Sequence, residues 1–230
     1  MLLQVVQTAA DTLDTLSTAS ANTSELSFID LLIKGGVILI PIGILSIISV
    51  YLIAERYLYI KKATNIDNQF MRNVKDALYR GDFNGGLMLC RSSNSALAKV
   101  VERGIMRIGK PIKEIESNIE TAGSMEIAKM ENNLGYLGVI AGIAPMLGFI
   151  GTIVGIIKIF YDISLSDNIS IGIIAGGLYQ KMITSCAGLI VGVIAYTGYH
   201  YLTILIDKFT LRVEVVATEF LDILQEPTKV

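Results

Sequence analysis

Three long apolar runs alternate with polar segments along this chain. The central run, residues 134–157, belongs to a stretch from 132 to 157 without a charged side chain. At about 1.5 Å of rise per helical residue, this stretch spans roughly 39 Å, which exceeds the ~30 Å thickness of a bilayer core. The pattern predicts a transmembrane helix over residues 134–161.

Two further apolar runs flank the central one. The twenty uncharged residues 35–54 are just long enough to cross a bilayer, and Glu55-Arg56 with the tyrosines and lysines that follow is typical of a membrane exit. This indicates a first span over residues 30–60. The third run is uncharged from 182 to 206 and predicts a span over 171–206, whose end continues into a helical cytoplasmic tail at 207–230.

The segments outside the spans are polar and helical in pattern. Residues 1–29 are mildly amphipathic, which predicts a surface helix lying along the membrane. Residues 61–133 predict a helical domain punctuated at 81–82, 85–86 and 109–111. Because no proline follows Pro111 until Pro145, one helix is expected to run from this domain straight into the central span. Its charged face, which includes Glu126, is expected to be solvated.

Composition indicates a membrane protein, and the distribution of charge indicates how its spans are oriented in the membrane. The chain is 52% hydrophobic and only 17% charged, whereas a soluble domain has about 25% charged residues. Residues 61–133 contain twelve Lys and Arg, and the tail contains three. No Lys or Arg precedes Lys34, and none lies in residues 161–170, of which 162–170 form the predicted link between the second and third spans. By the positive-inside rule, the N-terminus and this link are periplasmic and the two large hydrophilic parts are cytoplasmic.

Composition also excludes several function classes. The net charge of -2 gives no indication of nucleic-acid binding. The chain has one histidine and two distant cysteines, with no Ser-His-Asp or Cys-His grouping and no metal-ligand spacing. The sequence therefore predicts no enzyme activity, no cofactor and no metal site.

Small residues form a stripe along the central span. Gly148, Gly151, Thr152 and Gly155 recur at one-turn spacing, and small residues let helices approach closely in lipid, where no hydrophobic drive brings them together. Pro145 leaves the carbonyl one turn earlier without its helical donor, which hydrocarbon does not tolerate unless protein or water satisfies it. An ordinary packed span with a proline kink is the alternative explanation.

Polar residues lie deep in the central and third spans. Thr152 and Gln180 are both roughly 12–15 Å below the outer ends of their spans, so they share a level. Buried hydroxyls alone are weak evidence, because they often bond to the backbone one turn back. A glutamine and a lysine at the same depth favour a functional polar path. The third span presents this path as two stripes: Gln180 with Thr184, and Gly177, Lys181, Ser185 and Gly188.

Lys181 has two alternative explanations in the sequence. It either snorkels to the headgroups along its aliphatic stem or pairs with a carboxylate from another subunit, since this chain offers none at that depth.

The sequence resembles a known family. Residues 144–156, APMLGFIGTIVGI, resemble the A-P-x-x-G-x-x-G-T-x-x-G motif of the MotA/TolQ/ExbB proton channel family, and the ExbB-like members most closely. Glu55-Arg56 matches the E-R that closes the first span in that family. Residues 183–189, ITSCAGL, resemble its A-T-x-x-G-L run, with Ser185 at the family's threonine. The resemblance covers about residues 36–195.

This resemblance implies an all-α inner-membrane protein with three spans and a periplasmic N-terminus. It implies a homo-oligomeric ring, a pentamer in ExbB-like proteins, around the transmembrane helices of an ExbD-like partner. The resulting motor, driven by the proton-motive force, powers a TonB-like protein that reaches outer-membrane transporters. Alternatives within the same resemblance are a TolQ-like motor for envelope constriction and a structural scaffold ring that conducts no ions.

Two positions depart from the family pattern. Gln180 stands where ExbB and TolQ proteins usually have a glutamate, and Ile194 where they usually have a proline. The first departure leaves protonation to the membrane-embedded aspartate of the partner, with Thr152, Thr184 and Ser185 as hydroxyl relays. It also leaves the transported ion open between H⁺ and Na⁺, because hydroxyl oxygens can bind sodium.

Overall fold

The computed structural model describes residues 37–65, 68–165 and 171–225, and all regular structure in these ranges is helical. The predicted surface helix at 1–29 and residues 166–170 of the predicted link lie outside the described residues. Within the described ranges there are seven helices: α1 (Leu39–Thr64), α2 (Asn68–Tyr79), α3 (Phe83–Ser92), α4 (Ala96–Ile105), α5 (Ile112–Glu131), α6 (Leu134–Leu165) and α7 (Ile171–Gln225).

Three of these helices have the length and apolar character to cross a membrane, which confirms the prediction of three long apolar helices. They are α1, α6 and α7. Bulky apolar side chains are exposed along all three, among them Ile47, Phe149 and Val193. A large exposed apolar surface of this kind matches hydrocarbon better than water.

The predicted uninterrupted helix from residue 111 into the central span is wrong. Helix α5 ends at Glu131 and α6 begins at Leu134. Asn132 takes an extended ψ of 138°, and Asn133 has a φ of 64°, in the left-handed region that asparagine adopts more readily than most residues. Two asparagines therefore break a helix that the absence of proline suggested was continuous.

The predicted break at Gly85-Gly86 is also wrong, because both glycines lie inside α3. The chain turns earlier, at Gly81, which has a φ of 74°. Asp82 then caps α3 by accepting a 2.9 Å hydrogen bond from the Gly85 amide. Gly86 is buried inside α3, and a Cβ there would make an ordinary van der Waals contact with Ile105 at 3.4 Å.

The chain divides into two compact units. The larger, which we call the helical unit, comprises residues 43–146 and 189–225 as far as the structure describes them. The C-terminal part of α7 belongs to its core: Gly104 packs against Phe220, and Gly123 packs against Val213. Helix α7 runs unbroken over 55 residues, as expected of a third span that continues into a helical tail.

Glu126 departs from the expected solvated face of α5. It is only 7% exposed, and its carboxylate lies 2.5 Å from the Lys129 ammonium and 3.9 Å from that of Lys99. A buried carboxylate is costly unless it is paired, so the two lysines are what permits its burial.

Candidate functional site

The second compact unit, which we call the span unit, comprises residues 37–42, 147–165 and 171–188. Within it, α6 and α7 run antiparallel and touch through their small residues. A Cβ on Gly148 would lie 3.1 Å from the Ser185 carbonyl oxygen and 3.2 Å from the Gly188 Cα. A Cβ on Gly151 would lie 2.8 Å from the Thr184 methyl group. Any larger side chain at Gly148 would therefore push the two backbones apart.

Thr152 lies between the two helices. Its Oγ1 is 3.2 Å from the Gly148 carbonyl of α6 and 3.4 Å from the Lys181 carbonyl of α7. A hydroxyl has one proton to donate, so these two carbonyls are alternative acceptors, and the oxygen keeps lone pairs free to accept. The bond to Lys181 also sets Thr152 at the level of residues 180–184 of α7.

The other predicted hydroxyls lie on the same face of α7. Thr184 is buried, at 1% exposure, against Gly151. Ser185 is half-buried one residue further along, with its backbone against Gly148. Gln180 lies on α7 one turn before Thr184, but its side chain is outside the described part of the structure.

Lys181 is half-buried, and its aliphatic stem lies across Gly155 of α6. A Cβ at position 155 would overlap the Cγ, Cδ and Cε atoms of this stem, so the glycine makes room for the lysine. Among the described residues, no carboxylate lies within ion-pair distance of the Lys181 ammonium.

Pro145 belongs to the helical unit and lies inside α6 without ending it. Its ring faces Gly192 of α7, where a Cβ would lie 2.5 Å from the proline Cγ and 3.3 Å from the Ala141 carbonyl oxygen. Ala141 is the residue whose carbonyl loses its helical donor because of the proline. That carbonyl is therefore covered by protein, a condition under which membrane helices tolerate proline.

Glu55 and Arg56 form a pair at the end of the apolar part of α1. The Arg56 guanidinium donates to the Glu55 carboxylate at 2.6 and 2.7 Å and to the Lys129 carbonyl at 3.2 Å. Lys129 lies in the last turn of α5, where carbonyls lack helical partners and favour a cation. Arg56 thus fastens α1 to the end of α5, a role that the sequence alone did not reveal.

The sequence reasoning overlooked Lys158. It is exposed on α6, near the C-terminal end of the predicted central span. Its charge was visible in the sequence, and it places one cation just before the predicted periplasmic link. The large excess of basic residues in 61–133 still dominates the charge balance.

These features define an all-helical protein with three membrane-length helices, two of which pack through glycines and hold polar side chains in their contact. Helices of this length and apolar character can cross a membrane. The chain belongs to the MotA/TolQ/ExbB proton channel family, whose model matches residues 92–215, more than half of its 230 residues. This confirms the resemblance found in the motifs.

Three relatives show the range of similarity. A biopolymer transport protein ExbB homolog of Methanothermobacter thermautotrophicus is 27% identical over 184 residues, which cover 80% of this chain and 65% of the archaeal protein. The Tol-Pal system protein TolQ of Haemophilus influenzae is 26% identical over 223 residues, or 90% of this chain and 95% of TolQ. A biopolymer transport protein ExbB-like 1 of Synechocystis is 25% identical over 178 residues, which cover 76% of this chain and 70% of the cyanobacterial protein.

Proposed function

We propose that this chain is an ExbB-like subunit of an inner-membrane motor that uses the proton-motive force to energise a TonB-like protein for outer-membrane transport. Membership of a proton channel family and the likeness to ExbB homologs support this function. The observation that carries it is the Thr152 hydroxyl, which lies between carbonyls of α6 and α7 in the contact of two membrane-length helices. Such a hydroxyl can hydrate an ion or relay a proton.

The protonatable group has to come from a partner. Residues 134–157 and 171–206 contain no Asp or Glu, so these parts of α6 and α7 supply hydroxyls and a lysine but no carboxylate. An ExbD-like helix inside a ring of these subunits would bring a membrane-embedded aspartate. Lys181 would keep this aspartate ionised when it is near and let it protonate when it is far, because a nearby cation lowers a carboxyl pKa.

Lys181→Met tests this pairing, because methionine keeps the length of the side chain and removes its charge. Assembly with the partner should persist, while ion-driven transport should fall at least tenfold, about the effect of 1.4 kcal/mol. Lys181→Glu should be worse, since a second carboxylate repels the first. Energy-dependent uptake in cells is the measurement, and wild-type uptake by both variants rules the pairing out.

The energetics of the spans support a ring of subunits. Polar groups such as Thr152 and Lys181 are costly against lipid unless neighbouring helices cover them. We propose a homo-oligomer, pentameric as in ExbB-like proteins, and cross-linking in native membranes should capture it. A chain that stays monomeric in mild detergent, with and without its partner, contradicts the ring.

A TolQ-like motor for envelope constriction is the second candidate function, and the match to 95% of the length of TolQ supports it. Both motors share the membrane machinery but differ in the protein they drive. Affinity purification of the chain from native membranes distinguishes them: a TonB-like protein in the complex supports the first function, and a TolA-like protein supports the second. Ion flux through the purified complex separates both from a scaffold that conducts nothing.

A further inference from the structure

A basic groove lies within the helical unit, between the end of α1 and α7. Its volume is about 370 Å³, and its lining includes Tyr57, Lys61, Tyr201, Leu205, Lys208 and Arg212. Three of these side chains are cations, and no Asp or Glu is among the described residues that line the groove. We call this feature the basic groove.

The three cations are not neutralised within the described part of the chain. Lys61, Lys208 and Arg212 are exposed, and none of them takes part in an ion pair between described residues. The Lys61 ammonium instead lies 5.8 Å from the centre of the Tyr57 ring, a cation–π distance. Among the described residues, the lining of the basic groove therefore holds three cations and no carboxylate, which favours an anionic ligand.

The position of the groove indicates which anion. Lys61 lies six residues after Glu55, which ends the uncharged part of α1. Tyr201 to Arg212 lie where the uncharged run of α7 ends at Ile206. The rings of Tyr57 and Tyr201, 6.3 Å apart, stand at the same level. Tyrosines and basic residues at the end of a membrane helix lie at the headgroup layer. Leu205 adds an apolar wall next to the cations, which suits the glycerol end of an acyl chain.

We propose that the basic groove binds the headgroup of an anionic phospholipid, such as phosphatidylglycerol, in the leaflet where α1 and α7 leave the membrane. The phosphate is held by Lys61, Lys208 and Arg212, and the tyrosines border the headgroup. The site rests on the placement of the spans in a membrane that the proposed function requires, but not on ion transport. Basic pockets between membrane helices are known to bind such headgroups.

The test uses the intact chain, purified with its partner in mild detergent and then placed in nanodiscs of phosphatidylcholine with a minor fraction of phosphatidylglycerol. Native mass spectrometry counts the phosphatidylglycerol retained per chain. The variant Lys61→Gln/Lys208→Gln/Arg212→Gln should lose about a hundredfold in affinity, since each cation near an anionic surface contributes roughly fivefold. The charge-preserving variant Lys61→Arg/Lys208→Arg/Arg212→Lys should retain the lipid.

A matched control removes three exposed cations outside the groove, as Lys62→Gln/Lys110→Gln/Lys113→Gln. It should retain phosphatidylglycerol at wild-type level. Equal loss in this control, or no loss in the groove variant, overturns the site. Displacement of the lipid by inorganic phosphate at a concentration no higher than that of the lipid also overturns it, because the groove then recognises a free anion as well as a lipid.

Ion flux measured on the same samples separates this inference from the proposed function. Unchanged lipid retention in the groove variant, with ion flux present in the wild type, refutes the groove alone. If the groove variant loses the lipid and the wild-type complex conducts no ions, the lipid site is supported and the motor is refuted.

Discussion

At the scale of single residues, the packing of the span unit depends on the absence of a side chain at its glycines. Gly155 has no side chain, and the stem of Lys181 occupies the space that a Cβ would take. Sequence reasoning found both residues but not their contact, because the contact depends on how α6 and α7 align in space. The stripe of small residues on α6 thus serves two purposes: it brings the helices together, and it lets a long cationic side chain lie between them.

We expect Gly155→Ala to displace the Lys181 stem and cost about 1–3 kcal/mol, the usual effect of overpacking. In a Lys181→Ala background the same change should cost far less, because the space is then free. The free energy of unfolding in mixed detergent, measured for the two single variants and the double variant, gives the coupling energy. Additive effects would show that the stem does not lie across Gly155.

The two cysteines provide a second prediction at this scale. Cys90 is 1% exposed in the helical unit, and burial, with a smaller contribution from Glu102, raises the pKa of its thiol to about 12. Only the thiolate reacts, and a raised pKa keeps the thiol protonated at neutral pH. In a Cys186→Ser background, maleimide should label the native chain roughly a thousandfold more slowly than a free thiol of ordinary pKa.

Labelling of Cys90 should also keep rising with pH beyond the point where an ordinary thiol levels off, because its thiolate fraction grows until the pKa of about 12 is passed. Unfolding the chain should remove the difference. Rapid labelling of the native chain at neutral pH would contradict the buried position of Cys90.

At the scale of elements, hydrophobic patterning predicted the three long apolar helices and the continuous α7. It failed at Asn132-Asn133, because the helix ends there through the left-handed backbone of Asn133, which no apolar period signals. It failed again at Gly85-Gly86, because both glycines lie inside α3, where a Cβ on Gly85 would overlap the carboxylate of Asp82 that caps this helix. The contact of Phe220 with Gly104 could not be predicted from the pattern either, since it joins segments that are far apart in the sequence.

The pairing of α6 with α7 gives a prediction at this scale. Gly148→Ala should destabilise the chain by about 1–3 kcal/mol, because its Cβ would meet the backbone of α7, which cannot rotate away as a side chain can. Gly142→Ala is the matched control in the same helix, since nothing lies within 4 Å of its added Cβ. The control should be neutral or slightly stabilising through its higher helix propensity.

Thermal unfolding of both variants in mild detergent makes this comparison. Equal stability of Gly148→Ala and Gly142→Ala would show that α6 and α7 do not meet at Gly148.

At the scale of the whole molecule, the proposed function joins the polar residues of the span unit to a motor. The side chains of Thr152 and Thr184 and the stem of Lys181 lie in the contact of two membrane-length helices. The sequence could identify these residues because polar groups are rare at such depth. It could not identify the ion or the driven protein, because both depend on partner chains.

Ion flux through the reconstituted complex tests this account most directly. Proteoliposomes containing the chain and its co-purified partner should show flux under an imposed gradient, and Thr152→Ser should retain it. Thr152→Val keeps the shape but removes the hydroxyl, so assembly should persist while flux falls by about tenfold or more, which corresponds to the loss of one good hydrogen bond. Flux of the Val variant at wild-type level, with intact assembly, would contradict the role of the Thr152 hydroxyl in the ion path.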